Sequence, residues 1–262
     1  MDCMCSTREV GYQNLDVAAQ TDGGNTYLVN TIPAVGVDLE KVTLGDFKVV
    51  PPEGGLTADA SVYVTTFSSE GQTDGEYLYI DQALIDAGVG GVETPGWYTK
   101  ELVDNWTPES ADTVVIAFGR GVIIQSDCGA KITCAGEVLS KDVTFEIVSS
   151  EDGGNTYTGN TSPIDLTLKD FAITPPEGGL TADASVYVTT FTSEGQTEGE
   201  FLYIDQALID AGVGGVETPG WYTKESVDNW TPESAGDEVI ASGRMFIIQS
   251  DCGAKITIPS AL

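Results

Sequence analysis

Five cysteines are the first residues in this chain with chemistry of their own. Cys3 and Cys5 open it within MDCMCS, two positions apart, so an extended arm would turn both thiols to one side. Cys128 and Cys252 recur in identical QSDCGAKIT segments, each in a turn before a strand. Cys134 alternates with Lys131 and Thr133, and Ile258 stands at its repeat-equivalent position. That pattern marks it as a buried free thiol serving as a small hydrophobe. Cys3, Cys5, Cys128 and Cys252 are then the disulfide or crosslink candidates. Three states are open to them: an arm bonded to turns of a neighbouring copy, disulfides within one chain, or reduced or metal-bound thiols. A direct Cys128–Cys252 bond requires the two turns to approach to about 6 Å between Cα atoms.

The acids and the aromatics form a second and a third constellation. SSEGQTDGEYLYID carries Glu70, Asp74, Glu76 and Asp81, and its repeat carries Glu194, Glu198, Glu200 and Asp205. Oxygen-rich loops of this kind suit Ca²⁺ as a candidate metal, although the spacing is not that of an EF-hand. Solvated turn acids are the plainer account. GWYTKELVDNWTPE places Trp97, Tyr98 and Trp106 among acids, and Trp221, Tyr222 and Trp230 repeat the arrangement. Exposed, these rings would make a carbohydrate-binding face; buried, they would close a sandwich core with one polar atom at its edge. Asn105, Asn160 and Asn229 each begin an Asn-x-Ser/Thr acceptor pattern.

The chain contains no histidine, which removes Ser-His-Asp and Cys-His catalysis and every His-containing metal site. A carboxylate pair for glycoside hydrolysis has no second motif to support it. A non-enzyme is expected. The charge is lopsided, with 41 acidic against 11 basic residues and a formal net charge of -30. Nucleic acid and anionic membrane surfaces are therefore disfavoured as partners. Copies of the chain repel one another, so self-association needs screening ions or covalent help. No run of apolar residues is long enough for a membrane span, and no signal-type segment is visible, as expected of a processed chain.

The elements that must position these residues come as a tandem repeat. Pro51 to Ala111 recurs as Pro175 to Ala235 and differs only at Ser68/Thr192, Asp74/Glu198, Tyr77/Phe201 and Leu102/Ser226. DGGNTY recurs at Asp22 and Asp152. Two homologous domains are expected, 1–138 with the cysteine-bearing arm and 139–262, joined near AGEVLSK. ASVYVTTF, YLYID, TVVIAFG, GVIIQS, AKITC and DVTFEIV read as short strands divided by PPEGG, SSEGQTDGE, GVGGVETPG and SDCG turns. DQALIDAG is the one helical candidate, stopped by Gly88. The fold class is all-β, two tandem β-sandwich-like domains.

VGYQN, GGNTYTGNTSP, PGWY, FGRGVIIQS and the closing KITCAGEV and KITIPSAL resemble exported tandem β-domain proteins of planctomycete and verrucomicrobial-type bacteria. The resemblance spans both domains. It implies export and a β fold, and it implies no chemistry. Together these readings predict a structural, self-assembling extracellular or cell-surface protein, a filament, fibre or sheath subunit whose partner is itself. The arm cysteines would crosslink a homopolymer. The alternative is a secreted carbohydrate-binding module that uses the paired Trp/Tyr residues on a cell-surface polysaccharide.

Overall fold

The computed structural model describes residues 10–17, 19, 25–31, 42–57, 61–137, 141–149, 154–181 and 185–260. The fold is all-β, built from antiparallel sheets that occur twice. In the first half a five-stranded sheet runs in the order Asn25–Val29, Gly121–Ser126, Val62–Phe67, Thr73–Ile80, Gly96–Thr99. A three-stranded sheet sets Ala130–Glu137 between Val10–Val17 and Lys48–Val50. The second half repeats both. Asn155–Gly159, Met245–Ser250, Val186–Phe191, Thr197–Ile204 and Gly220–Thr223 form the larger sheet. Ala254–Ile258 lies between Val143–Ile147 and Ala172–Thr174 in the smaller one.

Period-two patterning sorts each strand's side chains between two destinations. Val62, Val64 and Thr66 point inward beside Ile124 and Val122 and meet Val49, Ile132 and Cys134 of the three-stranded sheet. A second cluster, from Ile147 to Ile258, fills the other half in the same way. The opposite face of the larger sheet is divided. At one end, Leu78, Ile80 and Tyr98 pack with Leu84, Val92 and Val103, which lie on the segments before and after the Gly96–Thr99 strand. At the other end, Tyr27, Phe67 and Gly121 face the second half.

Those faces meet about a pseudo-twofold axis. Tyr27 stacks on Phe191 with ring centroids 4.0 Å apart, and Phe67 stacks on Tyr157 at 3.8 Å. Tyr27 and Tyr157 are repeat equivalents, as are Phe67 and Phe191, so each contact is the image of the other. That reciprocity defines an isologous interface, here within one chain. Backbone bonds join the halves as well: Val29 N donates to Gly243 O at 3.0 Å, and Leu28 bridges Arg244. Near the axis the copies differ. A β-carbon at Gly121 would fall 2.0 Å from Met245 Sδ, so the glycine is the hole that its own repeat equivalent fills.

Two helices per half interrupt the sheets. Gln82–Asp86 and Gln206–Asp210 fall in the anticipated DQALIDAG segments, capped by Asp81 and Asp205. Lys100–Asp104 and Lys224–Asp228 were not anticipated. Each is five residues long and follows a β-like GWYT directly, too short for helical periodicity to register. The TVVIAFG segment forms only a two-residue strand, Val115–Ile116.

Candidate functional site

The aromatic constellation divides on folding. Trp97 and Trp221 are buried, as are Tyr98 and Tyr222. Trp97 Nε1 donates to Phe47 O at 3.2 Å, and its ring meets Tyr79 edge-on. The Tyr98 hydroxyl donates to Thr94 O at 2.8 Å, and that of Tyr222 to Thr218 O at 2.9 Å. These four residues close the two cores and present no ring face to a ligand.

Trp106 and Trp230 are the reverse, each 68 % exposed. Each follows a short helix in the same way. Trp106 N donates to Val103 O at 3.0 Å and Thr107 N to Leu102 O at 2.8 Å. This pair of bonds is the Schellman ending, in which the residue just past the helix takes a left-handed conformation. Glycine is the usual occupant; here it is tryptophan, at φ 58° in both copies. In the second copy Trp230 N donates to Val227 O at 3.1 Å and Thr231 N to Ser226 O at 2.8 Å. The ring edge sits above a glycine: a β-carbon on Gly91 would lie 3.6 Å from Trp106 Cε3, and Gly215 stands in the same relation to Trp230. Asp104, Asn105, Thr107 and Glu109 around Trp106 are exposed. A left-handed tryptophan costs on the order of 1 kcal/mol against glycine, and the fold carries that cost twice.

The acidic loops do not converge. Asp81 and Asp205 are buried, and both oxygens of each are occupied. Asp81 Oδ1 accepts from Leu84 N at 2.9 Å and Oδ2 from Leu56 N at 2.8 Å, with Asp205 doing the same for Leu208 and Leu180. They are helix caps that also tie down a neighbouring loop. Glu70, Asp74, Glu76, Glu194, Glu198 and Glu200 are exposed. Thr66 opposes Gly75 and Phe67 opposes Thr73, which leaves Asp74 as the extra residue of a β-bulge. Among the described residues no three carboxylate or thiol groups gather where one ion could hold them.

Cys128 and Cys252 are half-buried in equivalent turns. Cys128 Sγ donates to Gly129 O at 3.5 Å and lies 3.6 Å from Ser126 Oγ; Cys252 is held alike by Gly253 and Ser250. No disulfide joins Cys128, Cys134 and Cys252 to one another. Cys134 is 1 % exposed, and burial pushes its thiol up to about 11, which keeps it protonated and inert. Cys3 and Cys5 lie outside the described residues. Asn160 is buried, with Nδ2 donating to Ile164 O and Ile240 O, so this acceptor pattern is closed to a glycan. Asn105 and Asn229 are exposed.

No known protein family matches the chain, and no curated protein does. Among solved structures, one in the structure of the infectious bursal disease virus Gt strain aligns over 98 % of this chain and 73 % of that one. Its sequence identity is 10 % and its TM-score 0.20, too low to carry any argument about fold or role.

The sequence named Trp106 and Trp230 among six aromatic candidates without separating them from the four in the core. Their position after VDN and before TP, where a helix has to end, was the available signal. The interdomain face was not foreseen. Its residues, Tyr27, Phe67 and Gly121, look like ordinary strand positions until the repeats are laid against each other.

Proposed function

We propose that this is a non-enzymatic structural protein of the cell surface or extracellular space that assembles with copies of itself, with Trp106 and Trp230 as its outward contacts. The observation that carries the reading is the left-handed, exposed tryptophan that ends the Lys100–Asp104 and Lys224–Asp228 helices in both copies. Strained backbone together with exposed aromatic surface works against stability, and such features gather at sites of contact. Two equivalent rings on one pseudo-symmetric unit make the chain bivalent, the minimum needed for extended assembly. The paired sheet faces are already satisfied within the chain, so assembly has to use other surfaces. Crosslinking through Cys3 and Cys5 is a covalent addition to the same scheme.

Sedimentation velocity and negative-stain microscopy, with and without reductant, test the reading. Salt-promoted oligomers or fibres are expected from the native chain, and Trp106→Ala with Trp230→Ala should leave compact monomers. A native chain that stays monomeric at every salt concentration and redox state would refute assembly. A second reading, carbohydrate binding, draws support from the placement of each ring edge above glycine, which leaves ring surface open to a sugar. Loss of polysaccharide retention in the same double variant, with the native chain monomeric, would favour it.

A further inference from the structure

The three Asn-x-Ser/Thr patterns part on folding. Asn160 is 0 % exposed. Its Oδ1 accepts from Ser162 N at 2.9 Å, and its Nδ2 donates to Ile164 O at 2.9 Å and to Ile240 O at 2.8 Å. Asn105 and Asn229 are the opposite. Each occupies the cap position of a five-residue helix, Lys100–Asp104 or Lys224–Asp228. In both copies the asparagine, the tryptophan and the threonine of the pattern are all exposed. Neither asparagine side chain has a hydrogen-bond partner among the described residues. The tryptophan is the middle residue of the pattern and holds the left-handed backbone at φ 58°. Glycine there would keep the pattern and relieve that backbone, so the ring adds something the pattern itself does not need.

We propose that Asn105 and Asn229 are N-glycan attachment sites, and that the attached sugar closes the neighbouring tryptophan to other copies of the chain. The second part rests on the contact role proposed for Trp106 and Trp230; the first does not. The donor is a lipid-linked oligosaccharide, and the catalyst is an oligosaccharyltransferase outside this chain. The Asn Nδ2 forms a bond to the anomeric carbon, the bond from that carbon to the lipid diphosphate breaks, and one amide proton leaves to a base of the transferase. The lipid diphosphate departs with the electron pair. A glycan is bulky and solubilising, and it needs a surface position, which Asn105 and Asn229 have and Asn160 lacks. A sugar fixed one residue from an exposed ring can lay its C–H face on that ring and cover apolar surface otherwise left to water. The same cover removes the ring from contact with another copy.

The test is the full chain secreted from a glycosylating host behind a signal sequence, beside the double variant Thr107→Ala with Thr231→Ala. That variant removes the acceptor pattern and keeps both asparagines and both tryptophans. Peptide mass spectrometry with and without N-glycosidase reads occupancy, sedimentation velocity reads association, and thermal midpoints check that both proteins are folded. Glycan is expected on Asn105 and Asn229, with none on Asn160 and none on the variant's Asn105 and Asn229. The glycosylated chain should sediment as a monomer at a salt concentration where the variant associates. Unmodified Asn105 and Asn229, or a folded chain carrying glycan on Asn160, would overturn the attachment sites. A glycosylated chain that associates as strongly as the variant would overturn the closure of the rings. A folded variant that stays monomeric would remove the contact role of the tryptophans and the closure with it, while the masses still decide the attachment sites.

Discussion

Replacing Trp106 and Trp230 by glycine, and separately by alanine, isolates what the left-handed helix ends cost. Both replacements remove the ring, its contacts and its exposed apolar area, so those contributions cancel between the two variants. They differ at φ 58°, which glycine adopts freely and alanine does not. The difference is about 1 kcal/mol per site in favour of glycine, reduced by the extra freedom glycine has when unfolded. The sites sit in different halves and share no partner, so the contributions add to at most about 2 kcal/mol. With an unfolding entropy near 2 cal/mol/K per residue over 262 residues, that corresponds to a midpoint difference of about 4 °C. Calorimetry should therefore rank the double glycine variant above the double alanine variant. Sedimentation should show that both have lost association equally. A more stable protein that no longer associates would mean that strain is retained for contact. Alanine equal to or above glycine in stability would refute the reasoning, because the helix ends would then store no strain.

Three further outcomes follow from the packing. Gly121→Ala places a methyl against Met245 Sδ and should cost about 1–3 kcal/mol, and Met245→Ala about 2–4 kcal/mol; the double variant should cost clearly less than the sum, which a denaturant double-mutant cycle checks. Asp81→Ala removes the acceptor shared by Leu84 N and Leu56 N and should cost about 2 kcal/mol in urea unfolding, with no change in association. Cys134 should stay unlabelled by maleimide until denaturant is added, as peptide mass spectrometry would show. Its raised thiol also sets a sign: the unfolded chain releases this proton near pH 9 and the folded chain near 11. Its stabilising share is thus full below pH 9 and is lost as pH rises to about 11, which Cys134→Ala should abolish in unfolding measured across that range.

The repeat and the β class were legible because both are local: identity at a fixed offset, and strands whose apolar residues alternate. The core position of Cys134 was legible for the same reason, since Ile258 occupies its equivalent. Among the acids, burial sets Asp81 and Asp205 apart, and burial is not legible in the sequence. Asp81 resembles its exposed neighbours Glu70, Asp74 and Glu76, and only the Leu56 and Leu84 amides make it a cap. Trp97 and Trp106 sit nine residues apart in the same acidic segment and differ in one physical respect. The first is a strand residue whose side chain enters the core, whereas the second falls just after a five-residue helix that leaves no periodic trace.

The interface between the halves bears most directly on the assembly proposed for this chain. A tandem repeat suggests an open array, with each domain offering the next the same surface. Here the reciprocal Tyr27–Phe191 and Phe67–Tyr157 stacks use identical faces against each other, and an isologous contact closes on itself. The Gly121–Met245 difference reinforces that closure. Like pairs would be worse in either sense, with two glycines leaving a void and two methionines competing for one space. The favoured partner of the first half's sheet face is therefore the second half of the chain, not a second copy of itself. What remains for outward contact is what the fold exposes at a cost to itself, and on the described surface the two strained tryptophans meet that description in both halves.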